Sequence, residues 1–214
     1  MKIAIVLFDR FTALDAMGPY EVLSRLPEVD TVFVADRPEP VTNDLGSLSL
    51  VATHSFDAVH DPDIVVVPGG PGQLAARTSG PLIEWLQEVD KTTRWTTSVC
   101  TGALILGAAG FLTGRRATTH WLATDQLADF GATHAPERVV RDGKYITAAG
   151  VSAGLDMALN LAAAVAGDEA AQTAQLIIEY DPQPPFNAGS VDSAPSTVVQ
   201  ALEAFRDDVR NGLL

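Results

Sequence analysis

Trp95-Thr96-Thr97-Ser98-Val99-Cys100-Thr101-Gly102-Ala103-Leu104-Ile105-Leu106 is the stretch on which the fold turns. Trp95–Val99 reads as a strand, and an apolar helix over 102–112 starts almost at once behind it. One nucleophile-capable side chain, Cys100, stands at the join. A sharp strand-to-helix turn of this kind projects its side chain beyond the end of the sheet, as in a nucleophile elbow, and Gly102 leaves room for the tight turn. A strand that feeds a helix so directly belongs to a β–α unit.

The pattern repeats on both sides of the elbow. Residues 2–8 are short, nearly all apolar and rich in Ile and Val, as a strand buried on both faces is. Pro19 suits the first turn of a helix that carries Val22, Leu23 and Leu26 on one face. Residues 31–35 read as a second strand, 43–53 as a weakly alternating hairpin arm, and Ile64–Val67 as a third buried strand stopped by Pro68-Gly69-Gly70-Pro71-Gly72. Pro81 opens a helix whose Leu82, Trp85, Leu86 and Val89 keep helical spacing. Beyond the elbow, 138–141 and Tyr145–Ala148, joined by Asp142-Gly143, read as a hairpin. Residues 151–166 and 168–180 are Ala-rich helices parted by Gly167. Residues 181–196 form a proline-rich arm, with Phe186 as its natural anchor on a partner, and a last helix covers 196–212. Strands alternating with helices argue for an α/β fold: a parallel sheet with helices on both faces, in one domain over 1–214.

Composition narrows the function. The 214 residues carry 14 Lys+Arg against 27 Asp+Glu, a net charge of −13. Charged residues make up 19% of the chain, below the ~25% of ordinary domains, so much of it is core. A chain of this length buries enough surface to fold without disulfides or a structural metal. Its acidity repels phosphate, which argues against nucleic acid and against an anionic membrane surface. The longest apolar run, 103–112, is about half of the ~20 residues that a membrane span needs. The opening residues, Met1 to Arg10, hold too short an apolar stretch for a secretory signal and no small-residue cleavage site. A single cysteine excludes an intrachain disulfide and a zinc finger. The expectation is a cytoplasmic protein.

Parallel sheets bind ligands beyond the carboxyl ends of their strands, and three such loops carry unusual residues. Cys100 lies at a helix N-terminus, whose positive potential favours a thiolate; the competing reading is that free cysteine simply packs. Asp15 follows the first strand between apolar neighbours, where desolvation raises the pKa of an acid and suits it to donate a proton; alternatively it is a helix N-terminal acid. Gly69-Gly70 lets backbone N–H groups approach a ligand closely, or is a plain turn. It is not a phosphate loop, since no Lys-Ser/Thr follows. His54, His60, His120 and His134 lack metal-ligand spacing, so no metal site is expected. His120 and Thr118 are candidate walls of the pocket, with His120 read first as a hydrogen-bonded structural histidine.

Taken together, these loops resemble the DJ-1/PfpI superfamily. The resemblance covers nearly the whole chain. It includes Asp15, the Pro68-Gly69-Gly70 turn, the Ser98-Val99-Cys100-Thr101-Gly102 elbow and Gly114-Arg115-Arg116-Ala117-Thr118-Thr119-His120-Trp121. Glu137-Arg138-Val139-Val140-Arg141-Asp142-Gly143 and Pro184-Pro185-Phe186-Asn187-Ala188-Gly189 make it similar to the isocyanide hydratase branch. Many superfamily members carry Glu where this chain has Asp15. Peptidase-like members place His directly after the cysteine, where this chain has Thr101, which argues against proteolysis.

The resemblance implies a single-domain parallel-sheet sandwich, flavodoxin-like and of the DJ-1/PfpI type, that works as a homodimer. It implies a small-molecule isocyanide as substrate and no metal or organic cofactor. Cys100 adds to the terminal carbon of the isocyanide while Asp15 protonates it, giving a covalent thioimidate. Asp15 then acts as a base toward water, and an N-substituted formamide leaves. Thr101 hydrogen-bonds the sulfur, and the N–H groups of Gly70, beside Gly69, and of Thr101 stabilise developing negative charge. Two other readings stay open. One is a free-standing ligand sensor similar to the domain of AraC-type regulators; these add a basic helix-turn-helix pair, which a −13 chain ending at Leu214 is expected to lack. The other is a glyoxalase- or deglycase-like enzyme acting on reactive carbonyls, against which Asp15 in place of Glu argues. An accessible cysteine of low pKa is in either case open to oxidation to sulfenic or sulfinic acid.

Overall fold

Side chains alternate across β1, Lys2–Val6: Ile3 and Ile5 enter one hydrophobic core, Ala4 and Val6 another. Both faces of the sheet are therefore covered, which is why residues 3–6 and the strand Ile64–Val67 are apolar without a break. The structure is a computed structural model that describes residues 1–210, with no side-chain description for Phe205 and 207–210. The described chain falls into two compact units, Met1–Glu179 and a second that begins at Tyr180.

In the first unit, β1 leads into α1 (Ala13–Leu23) and β2 (Asp30–Ala35). A hairpin of β3 (Pro40–Thr42) and β4 (Ser49–Val51) follows, then β5 (His54–Ser55) and β6 (Ile64–Val67). Next come α2 (Gln73–Ala76), α3 (Gly80–Val89), β7 (Trp95–Val99) and α4 (Gly102–Ala108). Two short strands, β8 (Arg116–Ala117) and β9 (Thr133–His134), flank a 3-10 segment, Trp121–Phe130. The unit closes with β10 (Val139–Asp142), β11 (Tyr145–Ala148), α5 (Ala153–Ala166) and α6 (Asp168–Ile177).

The main sheet runs β10-β11-β7-β6-β1-β2-β5. Every neighbouring pair is parallel except β10 with β11, the Asp142-Gly143 hairpin. One face packs Ile3, Ile5 and Ile64 against Val22 and Leu23 of α1 and Met157, Ala158 and Leu161 of α5. The other packs Ala4, Val6 and Val65 against Leu82, Trp85 and Leu86 of α3 and Leu104 and Leu106 of α4. β1, β6 and β7 thus deliver their carboxyl ends side by side.

Some boundaries differ from the sequence expectation. Pro19 lies inside α1, not in its first turn. Its ring meets Gly154 of α5: a Cβ on that glycine would sit 3.4 Å from Pro19 Cδ. Small residues at this crossing let the helices approach, and tertiary packing outweighs the hydrogen bond that Pro19 cannot make. The helix after the elbow ends at Ala108 instead of 112, with Gly110 in a left-handed turn at φ 88°. Of the Ala-rich helices, α5 begins at Ala153 instead of 151 and α6 ends at Ile177 instead of 180, while their ends at Ala166 and Asp168 fall where expected. The 3-10 segment stands where no element is expected from the sequence.

In the second unit, residues 180–195 contain no helix or strand, and Phe186 is exposed. α7 covers Ser196–Arg210; residues 211 and 212 of the expected last helix lie outside the described residues. No helix among the described residues is long and apolar enough to cross a membrane.

Candidate active site

Cys100 sits between β7 and α4 with a positive φ of 57°, a conformation uncommon for a residue with a side chain. Its neighbours hold it there. Its N–H donates to the carbonyls of Ala148, at 3.1 Å, and Ala149, at 3.0 Å. Its carbonyl accepts from the Thr119 hydroxyl at 2.8 Å. Strain of this kind persists only where the surroundings over-determine it. Gly102 is required for the turn, because a Cβ there would lie 2.2 Å from the Val67 carbonyl oxygen. The elbow expected from the sequence is therefore present.

Asp15 is fully buried in the first turn of α1. It is thus a helix N-terminal acid that remains a candidate site residue. Its Oδ2 accepts from the Gly69 N–H at 2.8 Å, while Oδ1 has no hydrogen-bond partner. The Cys100 thiol lies within hydrogen-bonding reach of the carboxyl. Burial pushes the Asp15 pKa up to about 7, against the pull of the Gly69 N–H and of Cys100. A buried carboxyl that titrates near neutrality, with one oxygen unpartnered, can exchange protons with whatever enters.

The thiol departs from the expectation of a thiolate favoured by a helix terminus. Burial, and then the charge of Asp15, push the Cys100 pKa up to about 12. The N–H groups of Thr101 and Val151 and the Thr101 hydroxyl act in the opposite direction but do not prevail. The reason is geometric: Cys100 is 5% exposed, so it is not the accessible cysteine expected, and α4 behind it is only seven residues long. The two groups titrate as a pair, with the proton resting on sulfur while Asp15 is ionised.

The glycines serve this pair from behind. The Gly69 N–H is engaged by Asp15, and the Gly70 N–H donates to Thr101 Oγ1 at 2.9 Å. The Thr101 hydroxyl in turn lies 3.4 Å from the Gly70 carbonyl. These N–H groups, expected to face developing charge, are occupied here in orienting Asp15 and Thr101. No side chain would fit in their place: a Cβ on Gly69 would stand 2.5 Å from Thr101 N, and one on Gly70 2.6 Å from the Arg10 carbonyl.

Thr118 is buried, and its N–H donates to the Thr147 hydroxyl at 2.9 Å. His120 is half-buried; its Nδ1 accepts from the Leu122 N–H at 3.3 Å at the start of the 3-10 segment. Burial lowers its pKa. The partners found for Thr118 and His120 are structural ones, as the first reading of His120 had it. Sequence reasoning missed Thr119, which fixes the Cys100 carbonyl, and Val151, whose N–H faces the sulfur. A backbone donor leaves no side-chain signature, and Thr119 stood unremarked beside Thr118. Two surface clefts open beside the sheet, one lined by Leu7, Ala35 and Leu82, the other by Phe56, Glu84 and Trp85. Neither is lined by Asp15 or Cys100. Among the described residues no three His, Cys, Asp or Glu side chains gather as a metal site.

The chain is similar to several known proteins. The DJ-1/PfpI family model matches residues 1–164. An isonitrile hydratase from Pseudomonas putida is 45% identical over 205 residues, 93% of this chain and 87% of its own length. A crystal structure of a ThiJ/PfpI family protein from Pseudomonas syringae superposes with a TM-score of 0.94 at 41% identity, covering 97% of this chain and 86% of that one. The HTH-type transcriptional regulator CdhR of Pseudomonas aeruginosa is 32% identical over 126 residues, 58% of this chain but only 37% of the regulator.

Proposed function

The chain belongs to the DJ-1/PfpI family, and from that premise we propose that it is an isocyanide hydratase whose nucleophile is Cys100. The observation that carries the mechanism is the buried pair of Asp15, with its pKa near 7, and the Cys100 thiol beside it. The likeness to the isonitrile hydratase supports the substrate class.

The chemistry balances with one proton on the pair. Asp15 carboxylate accepts the thiol proton as sulfur bonds to the terminal isocyanide carbon, then returns that proton to the carbon, leaving the thioimidate R–N=CH–S–Cys100. Asp15, again ionised, takes a proton from water, whose oxygen adds to the same carbon, and passes the proton to nitrogen. The tetrahedral R–NH–CH(OH)–S species collapses: the C–S bond breaks, the hydroxyl proton returns through Asp15 to sulfur, and R–NH–CHO departs. No step needs an oxidant or reductant. The Thr101 hydroxyl and the N–H groups of Thr101 and Val151 stabilise charge on sulfur as it attacks and as it leaves. The −13 surface is indifferent to a neutral isocyanide.

The same reading makes the protein a cytoplasmic homodimer. Exposed Leu14 on α1, with Leu45 and Leu48 in the β3–β4 hairpin, supports self-association. Light scattering that finds only a 22.6 kDa particle at micromolar concentration contradicts the dimer.

The function is tested by mixing the purified protein with an aryl isocyanide, and separately with methylglyoxal, and following products by mass spectrometry. Rapid formamide supports the hydratase. Saturable isocyanide binding without turnover supports a sensor, and lactate from methylglyoxal a carbonyl enzyme.

A further inference from the structure

Val151, which turns its N–H toward the Cys100 sulfur, has a φ of 22°, an unfavourable value for a β-branched residue. Something must hold the peptide there. The carbonyls of Gly150 and Val151 accept from the N–H groups of Ala153 and Gly154, which ties them to the start of α5. On the other side stands the imidazole of His120. A Cβ on Gly150 would lie 2.8 Å from His120 Cδ2 and 3.4 Å from Nε2, so the ring occupies the space that a side chain at 150 would need.

The ring itself is fixed. Nδ1 accepts the Leu122 N–H, so the neutral imidazole carries its hydrogen on Nε2. The neighbouring Thr119 bonds the Cys100 carbonyl. One short segment therefore braces both the backbone of the nucleophile and the peptide whose N–H meets its sulfur.

We infer that His120 is a positioning residue: its imidazole, set against Gly150, holds the Gly150–Val151 peptide so that the Val151 N–H stays aimed at the Cys100 sulfur. The inference rests on Cys100 being the nucleophile, but its first readout is independent of the substrate. The alternative role, that His120 only caps the 3-10 segment, makes a different prediction. His120→Asn keeps an acceptor for the Leu122 N–H while removing the ring edge from Gly150. Gly150→Ala displaces the ring from the other side.

The test measures alkylation of Cys100 by iodoacetamide between pH 7 and 9, together with kcat and KM on an aryl isocyanide. The chain has one cysteine, so alkylation reports on Cys100 alone. Loss of one hydrogen bond to a charged sulfur slows alkylation about tenfold. Both variants are expected to show that drop across the pH range, with a parallel fall in kcat and little change in KM, while His120→Asn melts as the wild type does. The double variant is expected to be no slower than the slower single one, because both act on one contact. Wild-type or faster alkylation in His120→Asn and Gly150→Ala overturns the inference. Slowed alkylation in a protein that turns over no isocyanide leaves the positioning role standing and removes the hydratase.

Discussion

Cys100 stands at the turn behind β7 and Asp15 in the first turn of α1, behind β1, yet each sets the other's proton. The thiol beside Asp15 lowers the carboxyl pKa, and the carboxylate charge raises that of the thiol. Burial raises both, and leaves Asp15 near 7 and Cys100 near 12.

A pH dependence follows. Below pH 7 both groups are protonated and the thiol has no base beside it. Raising the pH through about 7 ionises Asp15, which can then accept the thiol proton and deliver it to carbon. We expect kcat/KM on an aryl isocyanide to rise between pH 5 and 8 with an apparent pKa near 7. Asp15→Asn is expected to lose that limb and to be slower by about 10²–10⁴, the usual worth of a positioned acid–base group. An unchanged profile in Asp15→Asn assigns the limb to another group.

The same burial predicts a stability effect of opposite sign. A carboxyl whose folded pKa is raised from 3.8 to about 7 favours the folded state below pH 4, and that contribution is lost as pH rises to 7. At pH 8 the protein therefore carries a buried carboxylate at a cost on the order of a few kcal/mol. Asp15→Asn keeps an acceptor for the Gly69 N–H and removes the charge. It is expected to melt higher than the wild type at pH 8 and to lose that advantage near pH 4, as calorimetry at the two pH values can show.

Gly102→Ala places a methyl 2.2 Å from the Val67 carbonyl oxygen, a backbone atom that cannot swing aside. A destabilisation of at least ~1–3 kcal/mol is expected in urea. Gly189→Ala meets nothing within 4 Å and is expected to leave stability unchanged.

Thr101→Val leaves the Gly70 N–H without its acceptor and removes the hydroxyl beside the sulfur. The unmet donor costs about 1–3 kcal/mol. Activity is expected to fall through kcat, with Thr101→Ser restoring most of it.

The sheet was legible because its signals are local and strong. Ile64–Val67 and Trp95–Val99 are short apolar runs bounded by turn residues, and both strands form over the expected residues. The elbow was legible for the same reason: a strand end, Cys100 and Gly102 are consecutive. Asp15 stood out through its apolar neighbours, and its desolvation is what the structure finds. Pro19 misled, because it lies inside α1 against Gly154, and no local propensity reports that packing. The state of the thiol was also out of reach. It depends on how deeply the core that Cys100 shares with α1 and α5 buries it and on a charge brought from residue 15, and both are products of tertiary structure. The Val151 N–H and the Gly150–His120 contact belong to the same class, since neither has a signature in sequence.

The covalent route depends on sulfur forming the bond to the isocyanide carbon. The most direct measurement is the rate of formamide production by Cys100→Ala, in protein whose melting curve shows it to be folded. A fall to the uncatalysed rate is the predicted result, whereas turnover at the wild-type rate would contradict the covalent route.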